Sequence, residues 1–229
     1  MTRQANICTS VSRIVVSLLL LLAPVVVQAQ RILKLERDSV AFFQGIAVSA
    51  DLVGAAMLHL GDHGQYEAAL RVNLHDQYYP VLEVGYGKAD HKEDAITGIA
   101  YKTGAPYFRI GVDANILKKK HTGNSLYLGL RYAFTNYKVD VSRPEFLDPV
   151  WQWGTLFGVE GDQCKQSWAE IVFGLDTKIA GPLHLGWSAR YKVRMSHNDG
   201  TMGKTWYVPG YGTQDSNALG ATFNVIIDI

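Results

Sequence analysis

From Leu126 to Phe134 every second residue is apolar or aromatic (Leu126, Leu128, Leu130, Tyr132, Phe134), and between them stand Tyr127, Gly129, Arg131 and Ala133. A period of two puts the two sets on opposite faces of a β-strand. The pattern recurs from Leu183 to Met195, with Leu183, Leu185, Trp187, Ala189, Tyr191, Val193 and Met195 against His184, Arg190, Lys192 and Arg194. It recurs again from Leu219 to Ile229. Five further segments carry it, at Ile46–Leu52, Tyr66–Leu74, Leu82–Tyr86, Phe108–Ile116 and Ala169–Leu175. Eight strands are predicted, several of them nine to eleven residues long, the length a tilted strand needs to cross a bilayer.

The links between segments sort by length. With the amino terminus on the inner side, the even links of such a barrel are tight turns and the odd links are exposed outside. Asp76–Pro80, Leu117–Asn124 and Ala180–Pro182 are short and rich in turn formers, whereas Ala89–Ala105, Asn136–Ser167 and Ser196–Asn217 are long. Gly61–Gly64 is a short odd link.

Alternation alone leaves open which face is inside. A soluble eight-stranded barrel of the lipocalin kind, with apolar residues around a ligand cavity, has the same period. Three features favour the membrane: charges of both signs sit mid-strand on the polar face, the apolar faces carry almost no polar residue, and Tyr86, Phe108, Tyr132 and Phe134 gather toward the outer strand ends as an aromatic girdle. The predicted fold is therefore all-β, an eight-stranded antiparallel transmembrane barrel of the outer-membrane type with long extracellular loops. Ending on Ile229 departs from the aromatic last residue common in such barrels.

The polar face then lines the lumen, with Asp51, Glu67, Glu83, Asp113, Glu170, Asp176 and Asp228 against Arg71, Arg109, Arg131, Arg190, Lys192 and Arg194. An eight-stranded barrel has room inside for its own side chains only, so these groups are expected to pair across it. A conducting pore is the alternative, and it needs many more strands than 200 residues supply. Near-balanced charge also argues against a nucleic-acid partner.

At the amino terminus Arg3 and Arg13 precede a nearly unbroken apolar run, Ile14–Val27, too short to span a bilayer and followed by Val27-Gln28-Ala29. That is the layout of a secretory signal peptide cleaved after Ala29. Residues 1–29 are expected to be removed, 30–41 to form a short periplasmic segment and 42–229 the barrel. Cys8 leaves with the signal, and Cys164 remains as a loop thiol with no partner for an internal disulfide.

No G-x-S-x-G elbow, H-E-x-x-H or glycine-rich phosphate loop is present. His59, Asp62 and His63 lie in a tight connection, Asp90, His91, Glu93 and Asp94 lack calcium-loop spacing, and Lys118–Lys120 read as a solvated inner turn. No cofactor or metal is expected. His184 on the polar face has no serine near it in sequence; a membrane-embedded lipid-modifying enzyme stays open as an alternative, and would require histidines or serines to converge at one rim. The longest link carries Phe146, Trp151, Trp153 and Phe157, and the last odd link carries Trp206 and Tyr207. Exposed aromatics need a reason: either they fold over the barrel mouth, or they form a docking surface for another envelope protein.

The stretches ALRVNLHDQYYP (Ala69–Pro80), GYGKAD (Gly85–Asp90), YKTGAPYFRIGVD (Tyr101–Asp113) and LGLRYAFTNYKVDV (Leu128–Val141), with DPVW (Asp148–Trp151), resemble a domain-of-unknown-function family of exported barrels from Gram-negative anaerobes. The resemblance spans about Phe42 to Ile229 and implies the outer membrane, with outer-membrane lipid as surroundings. It brings no catalytic residue. It implies an accessory subunit of an envelope machine, for instance in outer-membrane protein assembly beside a lipoprotein.

Overall fold

The computed structural model describes residues 40–92, 98–147, 154–201, 203–213 and 215–229, with the backbone alone at 144–147 and 154–157. The expected signal peptide and most of the amino-terminal segment, residues 1–39, lie outside the described residues. In chain order the elements are β1 (Phe43–Asp51), α1 (Leu52–Leu60), β2 (His63–Leu74), β3 (Tyr78–His91), β4 (Ala100–Asn115), β5 (Ser125–Leu147), β6 (Gly154–Ala180), β7 (Leu183–Asn198), β8 (Tyr207–Val208), β9 (Gly212–Thr213) and β10 (Asn217–Asp228). Eight of them close into a ring, β1-β10-β7-β6-β5-β4-β3-β2, every neighbouring pair antiparallel; β8 and β9 form a separate small hairpin.

Burial is inverted relative to a water-soluble protein. Ile110, Leu128, Leu130, Ile171, Trp187 and Leu219 are exposed on the outer surface, while Glu67, Glu83, Arg109, Asp113, Arg131, Glu170 and Arg190 are buried inside. Water is the wrong solvent for such a surface, because large apolar area outside and charge inside is the reverse of what the hydrophobic effect selects. A bilayer is the right one, and the closed ring leaves no unpaired strand edge in hydrocarbon wherever neighbouring strands overlap. The arrangement is that of an outer-membrane barrel and not of a lipocalin. Among the described residues no helix is long and apolar enough to cross a membrane, so the crossing is made by strands.

The outer boundary of the lipid is written on the strands. The outward positions of β5 run Leu128, Leu130, Tyr132, Phe134 and then turn polar at Asn136, Lys138 and Asp140, all exposed. The same change follows Tyr86 on β3, where Lys88 comes next, and Pro106 on β4, where Gly104 and Lys102 follow. Tyr86 pairs with Pro106 and Phe108 with Phe134, so the switch falls at a common level. The Phe108 and Phe134 rings stack at 5.6 Å there.

Two expectations about the links change. Asn136–Ser167 is mostly strand: β5 and β6 stay paired to Leu147↔Gly154, raising a hairpin with roughly 40 Å of strand length beyond Phe134 at ~3.3 Å per residue. Beyond the bilayer neither face has to be apolar, so the hydrophobic period vanishes while the hydrogen-bonded ladder continues. The first outer link is α1, where no helix is expected from the alternation. Asp51 caps it, accepting from Val53 N at 3.1 Å and Gly54 N at 3.0 Å.

An arginine on the lipid face is costly in a depth-dependent way, about 2–4 kcal/mol at the bilayer midplane. Val112→Arg, midway along the outward face of β4, should lower unfolding free energy by that amount in urea titrations of barrel folded into lipid vesicles, and Lys138→Arg, above the girdle, should leave it unchanged.

Candidate functional site: a filled and plugged lumen

The alternation that faces apolar residues to lipid brings one charge from each of six successive strands to one level of the lumen: Glu67 on β2, Glu83 on β3, Arg109 on β4, Arg131 on β5, Glu170 on β6 and Arg190 on β7. Three carboxylates meet three guanidiniums. Arg190 reaches Glu67 at 2.9 Å and Glu83 at 2.8 Å; Arg109 contacts Glu67, Glu83 at 3.1 Å and Glu170 at 2.9 Å; Arg131 reaches Glu83 at 2.6 Å. Neutral donors complete the carboxylates, Tyr107 Oη to Glu67 at 2.7 Å and Trp168 Nε1 to Glu170 at 2.6 Å. Arginine suits this role because its planar fork serves several carboxylates at once and does not deprotonate.

A second tier lies toward the inner end. Asp113 pairs with Arg131 at 2.9 Å and Arg71 at 3.9 Å, and Arg71 passes on to Asp176 at 3.0 Å. His184 stands between Asp176 (3.0 Å) and Asp228 (2.9 Å). A cavity of about 230 Å³ opens here, lined among others by Arg71, Asp76, His121, Asp176, His184 and Asp228. Among the described residues no group of three or more His, Cys, Asp or Glu side chains is placed to hold a metal ion.

Above the central tier the lumen becomes aromatic. Tyr101, Tyr107, Tyr137, Trp168, Tyr207 and Tyr211 pack with Ala89, Ala105, Ala133, Val139, Cys164 and Val208 as a buried cluster. Glycine makes room for the lumen's rings: a Cβ on Gly85 would stand 2.2 Å from the Tyr107 ring of this cluster, and, toward the inner end, one on Gly174 2.3 Å from the Tyr127 ring. Small residues on one strand thus accommodate large ones on its neighbour, as the taper of a narrow barrel requires.

The last outer link descends into this cluster. Its turn between β8 and β9 is fastened by cations from below: Arg109 donates to the Gly210 carbonyl at 2.8 Å, and Lys192 to the carbonyls of Gly210 at 2.8 Å and Tyr211 at 2.9 Å. From the side, Tyr101 Oη donates to the Tyr207 carbonyl at 2.7 Å. The lumen is therefore filled by its own charges and stoppered by its own chain.

Of the residues singled out by sequence, Glu67, Arg71, Glu83, Arg109, Asp113, Arg131, Glu170, Asp176 and Arg190 meet in the ion-pair tiers. Asp51 caps α1 instead. Lys192 binds the plug, and Arg194, half-buried at the rim, forms no ion pair among the described residues. Tyr207 is buried in the mouth, so it offers no outer contact, whereas Trp206 stays exposed among His63, His91 and Tyr101 with ring centroids 5.3–5.7 Å away. The backbones of Phe146 and Phe157 pair across the raised hairpin with Thr155 and Arg143; Trp151 and Trp153 lie outside the described residues. Sequence reasoning missed Tyr101, Tyr137, Val208 and Gly210. The available signal is that Tyr101 and Tyr137 continue the inward period of β4 and β5 beyond the girdle. Cys164 is a strand residue of the aromatic cluster and not a loop thiol.

Removing one member of the central tier leaves its partners buried and uncompensated, at roughly 3–5 kcal/mol. Arg109→Leu should cost at least that much in unfolding free energy and release the plug, seen as faster proteolysis near Tyr207; the same change at Lys138, exposed on the raised hairpin, should do neither. Cys164, outside the membrane segment, has its thiol pushed up to about 11 by burial, with Asp162 and Asp199 adding to the effect. Because only the thiolate reacts, and an ordinary thiol titrates near 8.5, maleimide labelling at pH 8 should run at least a hundredfold slower in the folded protein than after denaturation.

The barrel is similar in shape to neisserial surface protein A (11% identity, 82% of this chain and 99% of that chain, TM-score 0.47), to a major outer membrane protein from Thermus thermophilus (11%, 81% and 98%, TM-score 0.47) and to CarO2 of Acinetobacter baumannii (12%, 82% and 99%, TM-score 0.41). At such identities no property of those proteins transfers to this chain. No curated protein matches the chain in sequence. Over residues 10–228 the chain matches the family described as a domain of unknown function, DUF6048, and it belongs to that family.

Proposed function

We propose that this protein is a non-conducting, non-enzymatic barrel of the outer membrane that serves as a structural or accessory component of an envelope complex. The observation that carries the reading is the doubly closed lumen: the space between the ion pairs of the central tier is about 10 Å³, room for one water at most, and the β8–β9 turn caps it from outside. A barrel with no passage acts through its surfaces. The surfaces it offers outside are the raised β5–β6 hairpin and the exposed Trp206 above the plug. The segment of sequence joining β5 to β6, which carries Trp151 and Trp153, is the contact we assign to a partner envelope protein or lipoprotein, with assembly of outer-membrane proteins as the candidate process.

The enzymatic alternative needs histidines or serines converging at one rim. The histidines divide between the two ends, His75, His121 and His184 at the inner one and His59, His63, His91 and His197 at the outer one, where they contact aspartates, aromatic rings and one another. His184, the buried one between two carboxylates, is held by Asp176 and Asp228 as a bridge between strands.

Two measurements test the reading. In planar bilayers the purified barrel should show no steady conductance, and defined open-channel steps would contradict a filled lumen. In a mild-detergent pull-down with mass spectrometry, Trp151→Ala/Trp153→Ala should lower recovery of a co-purifying envelope protein at least fivefold with the barrel still folded; unchanged recovery would sink the assigned contact.

A further inference from the structure

The outer half of the barrel wall is not strand all the way round. β1 ends at Asp51, opposite Asn224, and Ala50 stands opposite Ala68. Above that level β10 continues from Phe223 to Asn217 with strand pairing to β7 alone, and β2 continues from Glu67 to His63 with pairing to β3 alone. The space between them holds α1, whose nine residues rise about 13 Å at 1.5 Å per residue. α1 carries no Asp, Glu, Lys or Arg; Gly54 is its buried residue, and Leu52, Val53, Met57 and Leu60 are exposed at the level of the lipid and its boundary. This seam is closed by side-chain packing where the rest of the wall is closed by a hydrogen-bonded ladder.

Behind the seam lies a cavity of about 350 Å³, within the range of small-molecule sites. Val53, Met57, Leu219 and Ala221 line its outer side, Lys192 and Arg190 its lumen side, and Tyr207 and Thr213 of the plug its roof. Lys192 is 6% exposed, yet among the described residues it forms no ion pair, in contrast to Arg71, Arg109, Arg131 and Arg190. Two of its three N–H bonds go to the Gly210 and Tyr211 carbonyls, and the third has no partner among the described residues. The carboxylates nearby are committed elsewhere. Glu170, opposite Lys192 in register, serves Arg109 and Trp168, and Asp51 is turned to the amides of Val53, Gly54 and Phe223. Lys192 therefore shares the charge of Glu170 with Arg109 and Arg190 and has no carboxylate of its own, a deficit that an anion in the cavity relieves.

We propose that the seam between α1 and β10 is a lateral binding site for a membrane amphiphile with a phosphate headgroup, the phosphate on Lys192 and an acyl chain along Val53, Met57, Leu219 and Ala221. Lateral entry is what the surroundings favour: the central tier lies below the cavity and the plug above it, and Val53, Met57 and Leu219 on its outer side are exposed apolar residues. Gly220, inward on β10, keeps the space over Lys192 free; a Cβ there would stand 3.3 Å from Lys192 Cε.

The test uses the full chain in a neutral maltoside detergent and native mass spectrometry, with phosphatidylglycerol, diacylglycerol and inorganic phosphate as probes. Wild type should retain phosphatidylglycerol at least tenfold better than either other probe, since one lacks the headgroup and one the tail. Lys192→Met, which keeps length and removes charge, should lower retention at least tenfold. Gly220→Leu, which fills the cavity and leaves the charge, should do the same, and it decides the matter if Lys192→Met does not fold by the heat-dependent gel shift. Equal retention by wild type and the folded variants would overturn the site. Inorganic phosphate bound as well as phosphatidylglycerol would overturn the lipid and entry from the bilayer.

Discussion

Everything in this structure depends on the width of an eight-stranded ring. Such a ring encloses enough space for side chains and too little for a water column. Charges facing inward therefore give up hydration and must be neutralised by each other. The central tier meets that demand with three carboxylates and three guanidiniums drawn from six successive strands. A hydrophobic interior would satisfy packing equally well, but it would leave both faces of every strand apolar and the register unspecified. With charge on one face and lipid on the other, a slip by one residue would bury leucine against arginine and expose glutamate to hydrocarbon.

The same constraint accounts for the stopper. The outer end of the tier presents Arg109 and Lys192 to a mouth that is otherwise aromatic, and the backbone carbonyls of Gly210 and Tyr211 supply the acceptors. The plug is thus held by the charge network beneath it as much as by the tyrosines around it. Lys192 shares its carboxylate, Glu170, with Arg109 and Arg190, and it adjoins the seam where β1 stops short and α1 takes over. Electrostatic deficit and a wall without a ladder coincide at one point of the barrel.

How much of this was legible in the sequence follows from where lipid acts. Between Leu126 and Phe134, or Leu183 and Met195, the bilayer imposes a strict alternation, so strand identity, facing and the charges of the lumen can be read residue by residue. Beyond Phe134 the constraint ends: Lys138 and Asp140 face solvent, the period is lost, and a paired hairpin reads as a loop. α1 was hidden for a different reason. LVGAAMLHL is apolar nearly throughout, and a short apolar run carries no period to separate helix from strand. The plug was hidden because Tyr207 and Tyr211 pack against Tyr101 and Trp168 across more than forty residues of chain, a contact no local pattern encodes.

The central claim is that the outward face of each strand lies in hydrocarbon up to the aromatic girdle and in water above it. Nitroxide labels on single cysteines at positions 128, 130, 132, 134, 136, 138 and 140 of β5, in a Cys164→Ser background in lipid vesicles, read it by power saturation. The account predicts high accessibility to oxygen and low accessibility to a water-soluble nickel chelate from 128 to 134, reversing between 134 and 138. Nickel-chelate accessibility throughout the series would show a barrel that stands in water and would contradict the account.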